Sequence, residues 1–189
     1  MIKELFSGEY KKYTVINLIM TGFTLGLGVL WHFLFDLANE NAFVGLFTPI
    51  NESVWEHLKI LFFPFVISMV IEYFLYGKKT YNFFSSKLVG LSVGLISIIT
   101  GYYVTVGAFA INNMVSNIAI FTISVLLAYA VSYLRMLRTP KMAGGIWEGA
   151  AIAVMCVFFA LLLIFTYYPP HIPLFRDPTN MNYSLGHSR

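Results

Sequence analysis

The run IWEGAAIAVMCVFFALLLIFTYY, from Ile146 to Tyr168, holds one charged residue, Glu148, in 23 consecutive positions. A helix rises about 1.5 Å per residue, so this run exceeds the ~30 Å hydrocarbon thickness of a bilayer. Backbone amides in lipid must be satisfied within their own segment, and the run lacks the alternation of a barrel strand. We therefore predict a helix that crosses a membrane.

Four further apolar runs predict helices of the same kind; they extend over Tyr13–Phe35, Leu58–Tyr76, Leu88–Ala110 and Met114–Leu134. The first follows a basic segment, as a signal peptide would, but its apolar core is too long and no small-residue cleavage site follows it. No repeat or linker interrupts the chain. We predict an all-α integral membrane protein, a single domain over residues 1–189 that forms a bundle of about five transmembrane helices.

The composition agrees with this prediction, because 58% of the residues are hydrophobic and 11% are charged. A soluble domain carries about 25% charged residues, so this surface is unsuited to water. That excludes a cytosolic globular enzyme, a nucleic-acid binder and a disordered tail. The single cysteine, Cys156, lies in an apolar run, which excludes a disulfide framework and a thiolate metal cluster.

The distribution of basic residues predicts the orientation of the bundle. With five spans, nine of the 12 lysines and arginines fall on one side: Lys3, Lys11, Lys12, Lys78, Lys79, Lys87, Arg135, Arg138 and Lys141. The other side holds Lys59, Arg176 and Arg189. The positive-inside rule then predicts a cytoplasmic N-terminus and an extracytoplasmic C-terminus.

Side chains that can bind metal or transfer protons collect on the predicted outer side. It holds all four histidines, His32, His57, His171 and His187, and five of the nine carboxylates, Asp36, Glu40, Glu52, Glu56 and Asp177. An uncharged turn, which we also expect at the outer end of the bundle, contains Asn112, Asn113 and Asn117. The inner half of the bundle, by contrast, is expected to be nearly free of buried polar groups.

The first of these polar groups is His32-Phe-Leu-Phe-Asp36, at the outer end of the first span. A spacing of four places both side chains on one helical face, where imidazole and carboxylate can meet. Two interpretations stay open: an interfacial histidine bonded to aspartate, or a metal ligand or base with its orienting carboxylate.

The second group opens the second helix and contains Ser53-x-x-Glu56, the pattern of a capping box. Capping accounts for Ser53 and for one role of Glu56. Lys59, three residues after Glu56, fits a snorkelling ion-pair partner better than a catalytic lysine.

Capping does not account for Glu52 and His57 in the same segment. One interpretation is a nucleophile–base pair of Ser53 and His57, oriented by Asp36. The interpretation that we favour over it is a divalent-cation site with oxygen and nitrogen ligands from Glu52, Glu56 and His57.

The third group follows the last span, where prolines stop the helix and stiffen an extended segment. This segment would carry His171 and Asp177 towards the loop between the first two spans. The alternative is an interfacial plug in which Arg176 pairs with Asp177 or with lipid phosphate. His187 lies in the tail and is not assigned a role.

Glu72 and three glycine pairs complete the candidates. Glu72 lies in the inner half of the second span beyond Pro64, and we favour a structural pair with Arg135 or a tyrosine hydroxyl over an ion pathway. Close helix contacts, within the chain or in a homo-oligomer, are predicted at the pairs Gly22/Gly26, Gly90/Gly94 and Gly145/Gly149.

Three parts of the chain resemble a family of small bacterial integral membrane proteins catalogued as a domain of unknown function. They are the stretch His32 to Asp36, the run Val44 to Lys59 with its Asn-Glu-Ser-Val-Trp-Glu-His motif, and the tail Tyr168 to Pro178. The resemblance covers nearly the whole chain. It implies the bacterial cytoplasmic (inner) membrane and no particular activity. A looser similarity to membrane hydrolases of the alkaline ceramidase and progestin-receptor type, which hold zinc with intramembrane His and Asp, is an analogy only, because those proteins have seven helices.

Three functional hypotheses follow. The first is a membrane-embedded hydrolase or transferase that acts on a lipid or lipid-linked substrate with a divalent metal such as zinc; its metal ligands would be His32, His57, His171 and Asp177, and its catalytic carboxylates Glu52, Glu56 and Asp36. The second is a transporter or solute-binding component that uses the same groups as an outer gate and Glu72 for coupling. The third is a non-catalytic structural protein.

Overall fold

A computed structural model describes residues 8–138 and 145–183, and in that part of the chain all regular structure is helical. The five long helices are α1 Gly8–Leu37, α2 Val54–Leu75, α3 Phe83–Tyr102, α4 Met114–Arg138 and α5 Ile146–Tyr167. All five are long and apolar enough to cross a membrane. The prediction of a multi-pass helical membrane protein is confirmed, and the predicted spans lie within a few residues of these helices.

Short elements complete the described chain. A single helical turn, Ala42–Gly45, lies between α1 and α2, and α3 continues into a π-helical segment, Tyr103–Ala108. Two 3₁₀ turns, Gly77–Lys79 and Pro173–Phe175, follow α2 and α5. Helical irregularities of the π type often occur beside functional sites, and this one directly follows Tyr102, which lines the cavity described below.

The second helix is the centre of the bundle. In its most apolar stretch 61% of the residues are buried, against 22–28% in the other four helices. The first two helices run antiparallel: Thr24 of α1 meets Ser68 of α2, whereas Tyr13 at the start of α1 meets Tyr76 just after the end of α2. Residues on α2 also touch Lys87 of α3, Tyr129 of α4 and Phe158 of α5.

The two ends of the bundle differ in chemistry. We call the end formed by residues 38–53, 109–113 and 168–183 the histidine end, and the opposite end the basic end. His32 and His57 lie at the histidine end, whereas Lys78, Lys79, Arg135 and Arg138 lie at the basic end. Lys3, Lys141, His187 and Arg189 lie outside the described residues. Which end faces the cytoplasm stays a prediction from the charge distribution.

The start of α3 differs from the predicted span, which begins at Leu88. The helix begins at Phe83 because the Glu148 carboxylate of α5 accepts hydrogen bonds from the amides of Phe84 and Ser85, at 2.6 and 3.0 Å. A carboxylate at a helix start satisfies free amides and opposes the helix dipole. Lys87 is consequently a buried residue of α3 and not part of a basic loop.

The glycine pairs have different surroundings. A Cβ atom added at Gly90 would lie 2.3 Å from the carbonyl oxygen of Ala128, and one at Gly94 would lie 2.8 Å from Leu61, so this pair packs α3 closely within the chain. Gly22, Gly26 and Gly149 have nothing within 4 Å of an added Cβ. Only the Gly90/Gly94 prediction is thus accounted for by contacts inside one chain.

The half of the bundle nearer the basic end contradicts the expectation of an apolar interior. Many polar side chains are buried there: Thr14, Asn17, Thr21 and Thr24 on α1, Ser68 and Glu72 on α2, Ser85, Ser86 and Lys87 on α3, and Ser124 and Ser132 on α4. The buried polar side chains were not predicted because most of them are serine and threonine, which are uncharged and barely lower the hydropathy of a helix. The polar residues of α1 recur at three- and four-residue spacing, which is one helical face.

Candidate metal centre

His57 is oriented by the first turn of α2. Ser53 precedes the helix in an extended conformation, and its hydroxyl accepts the Glu56 amide at 3.3 Å, as the capping pattern predicts. The carbonyl oxygen of Ser53 lies 2.9 Å from Nδ1 of His57, so Nδ1 carries a proton and donates it there. Nε2 of His57 is left to face away from the helix backbone. The Ser53 hydroxyl caps the helix, which leaves no support for the nucleophile–base interpretation.

Three side chains converge around that nitrogen. Nε2 of His57 lies 3.4 Å from a carboxylate oxygen of Glu52. The ring of His32, on α1, is 5.5 Å from the His57 ring between centroids, and its Nδ1 is buried without a hydrogen-bond partner. One ligand atom from each of His32, Glu52 and His57 lies within 4.8 Å of the others. Three chain segments thus bring two nitrogens and one oxygen to one point.

The donor set fits a divalent cation. Zinc bonds to nitrogen and oxygen ligands of about 2.0–2.2 Å place two tetrahedral ligands roughly 3.4 Å apart, the distance found between His57 and Glu52. Two His and one Glu, with a fourth position open, is a known catalytic zinc set. Metal-binding histidines commonly donate their other N–H to a backbone carbonyl, as His57 does to Ser53. The three ligand atoms lie within 4.8 Å of one another, so a small contraction of the cluster would bring all three to bonding distance of one ion.

A cavity of about 110 Å³ opens beside this cluster, and Glu52 and His57 form part of its wall. His57, Tyr102 and Asn117 line it near the mouth, on three different helices. Its other wall residues include Ile60, Ile98 and Phe121, each about one turn deeper on the same helices. The cavity is therefore polar where it opens and apolar where it enters the bundle.

The asparagine turn behaves as expected in part. Asn112 and Asn117 line the cavity, and the side-chain oxygen of Asn117 is buried without a hydrogen-bond partner. Buried acceptors of this kind are rare in folded proteins, so Asn117 is a natural contact for a donor on a bound molecule. Tyr102 and Thr179 also line the cavity, and no sequence pattern marks either of them.

Glu56 and Lys59 form a separate, fully buried ion pair. The Lys59 ammonium lies 2.7 Å from the Glu56 carboxylate and 2.7 Å from the Thr166 hydroxyl of α5. It also donates to the backbone carbonyls of Gly45 and Thr48, at 2.9 and 3.2 Å. The predicted ion pair is confirmed, but Lys59 is 0% exposed and does not snorkel to the surface. Glu56 is 2% exposed and paired with Lys59, and it is not one of the three candidate metal ligands.

Asp177 and His171 do not join the three-ligand group either. Asp177 is buried, and its carboxylate accepts the amides of Thr179 and Glu52, at 2.7 and 3.4 Å. This carboxylate closes the turn of its own segment and holds it against the start of the second helix. His171 is exposed, and its ring packs against Tyr183. The predicted convergence thus involves His32 and His57 but not the tail.

Asp36 is exposed on the last turn of α1. In the described part of the chain it makes no hydrogen bond with His32, whose Nδ1 has no partner. Asp36 therefore flanks the histidine cluster without orienting it.

Comparison with known proteins identifies the family of this chain. Residues 3–185 match a family described as a family of unknown function, DUF6512. No curated protein and no solved structure matches the chain.

Proposed function

Because this chain belongs to DUF6512, a family of unknown function, its activity has to be inferred from its own geometry, and we propose a divalent-metal-dependent membrane hydrolase or transferase. The observation that carries this proposal is the convergence of His32, Glu52 and His57 beside a cavity. In this proposal those three residues hold the metal. A bound zinc ion would acidify a coordinated water and polarise a substrate oxygen.

The protein side chains supply position and electrostatics. The Ser53 carbonyl fixes the His57 ring so that its free nitrogen faces Glu52. With Nδ1 as the donor, Nε2 of His57 is the nitrogen that faces the Glu52 carboxylate, and a cation bound between the two would be stabilised by both. Asp36, exposed next to the cluster, is the carboxylate that we assign as the base; Glu52 is reassigned to metal binding.

The shape of the cavity indicates the substrate class. Its apolar walls lie within a membrane-spanning bundle, whereas its mouth carries Tyr102, Asn117 and the metal cluster. A molecule with an apolar chain and a polar, hydrolysable head would match both regions. We therefore propose a lipid or lipid-linked substrate, processed at the extracytoplasmic face of a bacterial cytoplasmic membrane. A homo-oligomer through the open Gly22/Gly26 face stays a prediction.

Metal content tests this proposal. Detergent-purified protein, incubated with zinc and then desalted, is expected to retain about one zinc ion per chain. His57→Ala and His32→Ala are expected to retain almost none, because each removes one of three ligands. His171→Ala is the matched control and should retain as much as the wild type, since His171 lies outside the cluster.

Two results would contradict the proposal. One is wild-type protein that retains no zinc, manganese or cobalt; His57 would then be a protonated ion-pair partner of Glu52. The other is equal zinc loss in His171→Ala and His57→Ala. A purely structural role for the cluster predicts changes in thermal unfolding and none in metal content.

A further inference from the structure

The region around Glu72 is a second charged site, deep in the bundle and distinct from the metal centre. Glu72 on α2 forms an ion pair with Lys87 on α3, and the two side chains are 0% and 2% exposed. The Tyr76 hydroxyl donates to the second Glu72 oxygen at 2.8 Å. The predicted tyrosine partner is confirmed, and the cationic partner is Lys87 where Arg135 was expected.

Tyr76 follows the last residue of α2 and is itself buried. Its phenol O–H is the donor of this hydrogen bond, because a carboxylate oxygen accepts.

Lys87 is held by aromatic rings as well as by Glu72. Its ammonium lies 4.9 Å from the ring centre of Tyr129, 5.5 Å from Phe65 and 5.7 Å from Phe83. Rings at these distances stabilise a cation through their negative faces. The rings thus add to Glu72 as partners of the Lys87 ammonium.

A chain of hydroxyl groups adjoins this pair. The Thr24 hydroxyl of α1 is 2.7 Å from the Tyr129 hydroxyl and 2.7 Å from the Ser68 hydroxyl. The Ser68 hydroxyl donates its one proton to the Pro64 carbonyl at 2.9 Å, so donation along the chain runs from Tyr129 to Thr24 and from Thr24 to Ser68. The buried polar network, as we call it, comprises Glu72, Tyr76, Lys87, Tyr129, Thr24 and Ser68.

One apolar layer separates this network from the cavity at the histidine end. Gly28 lies one turn beyond Thr24, and a Cβ atom added there would be 2.4 Å from the tip of the Phe121 ring and 3.1 Å from the Ile60 carbonyl. Phe121 and Ile60 also line the cavity. The separation along the helices is therefore about one turn, roughly 5 Å.

The chemistry of the network has an energetic consequence. Removing two charges from water costs more than a buried pair usually returns, and apolar residues of similar size are often as stable. Ionisable residues inside a membrane bundle therefore commonly mark ion or proton paths. A pair required only for packing would gain nothing from the adjoining hydroxyl chain.

We propose that the buried polar network binds and transfers protons, and that movement of the Phe121 ring connects it to the cavity at the histidine end. Glu72 gains one O–H bond on proton uptake and loses it on release. The groups that face Glu72 are Lys87 from α3, Tyr76, and Tyr129 from α4. Tyr13 of α1 and Tyr133 of α4 lie next to Tyr76. The network would couple proton movement to events at the metal centre.

Proton flux into proteoliposomes tests this inference. Full-length protein in phosphatidylethanolamine and phosphatidylglycerol vesicles, with an entrapped pH dye and a valinomycin-driven potassium potential, is expected to conduct protons faster than protein-free vesicles. The paired variant Glu72→Gln/Lys87→Met removes both charges together and should reduce the rate to that of protein-free vesicles. Tyr129→Phe keeps the ring and removes the relay hydroxyl, so its rate should fall below the wild-type rate. Phe121→Ala removes the ring between the network and the cavity, so its proton conduction rate should exceed the wild-type rate.

Zinc retention separates this inference from the proposed function. The paired variant Glu72→Gln/Lys87→Met is expected to lose the proton flux and to keep the zinc content of the wild type, because the network contains none of the three metal ligands. The inference is overturned if wild-type vesicles conduct no faster than protein-free ones. It is also overturned if the paired variant and Tyr129→Phe, both monodisperse in detergent, conduct at the wild-type rate.

Discussion

The variant Lys59→Met is expected to lose about 3–5 kcal/mol of unfolding free energy, the usual loss when one member of a buried ion pair is removed. The substitution leaves the Glu56 carboxylate 2% exposed without its cation. It also removes the donor to Gly45, Thr48 and Thr166, which joins the loop before α2 to α5. Thermal unfolding in detergent, followed by the fraction that stays monodisperse, measures this loss.

The paired variant Glu56→Gln/Lys59→Met is the control for the buried charge. It removes both charges, so its loss should be smaller than that of Lys59→Met alone, and the two single substitutions should not be additive. Equal losses in the paired and single variants would mean that the pair contributes through packing alone.

Because residues 48–50 lead directly to Glu52, Lys59→Met should also weaken zinc retention.

The variant Gly90→Leu is expected to prevent close packing of α3 on α4 and to lose at least about 3 kcal/mol, the upper end of the usual overpacking cost. The added Cβ would lie 2.3 Å from the Ala128 carbonyl oxygen and 2.6 Å from Cβ of Ser132. The first of these atoms belongs to a helix backbone, so relief requires movement of the whole helix. Low yield of monodisperse protein and a lowered unfolding temperature are the expected observations.

Gly22→Leu is the matched control, since an added Cβ at Gly22 has nothing within 4 Å. It should unfold within about 0.5 kcal/mol of the wild type, as isolated surface substitutions do. A loss comparable to that of Gly90→Leu would contradict the assignment of Gly22 to an open face. If Gly22 and Gly26 form a dimer face, this variant should instead lower the dimer fraction.

The candidate site was predictable where its signals are local. The capping role of Ser53 and the ion pair of Glu56 with Lys59 follow from spacings of three residues within one helix. The contact between His32 and His57 required only that α1 and α2 be antiparallel neighbours. The tail was harder to place, because nothing local distinguishes a carboxylate that binds metal from one that, like Asp177, accepts backbone amides of its own turn and of the loop before α2.

The interior of the bundle was least predictable. Glu72 was recognisable as unusual, but its partner Lys87 appeared to belong to a basic loop, because the cap that extends α3 comes from Glu148 on α5. The hydroxyl chain joins Thr24, Ser68 and Tyr129 from three helices. Each of these residues is ordinary within its own helix, and only their meeting point makes a network.

The amino-acid sequence by itself determined the helical membrane class, the positions of five helices and the segregation of histidine from basic side chains, because apolar length and charge are properties of continuous segments. The tertiary structure alone decided which polar groups meet: His32 with Glu52 and His57, and Glu72 with Lys87. The physical reason is that each cluster draws its members from separate segments, so that their distances depend on helix rotation and packing. Periodicity along the chain does not specify those quantities.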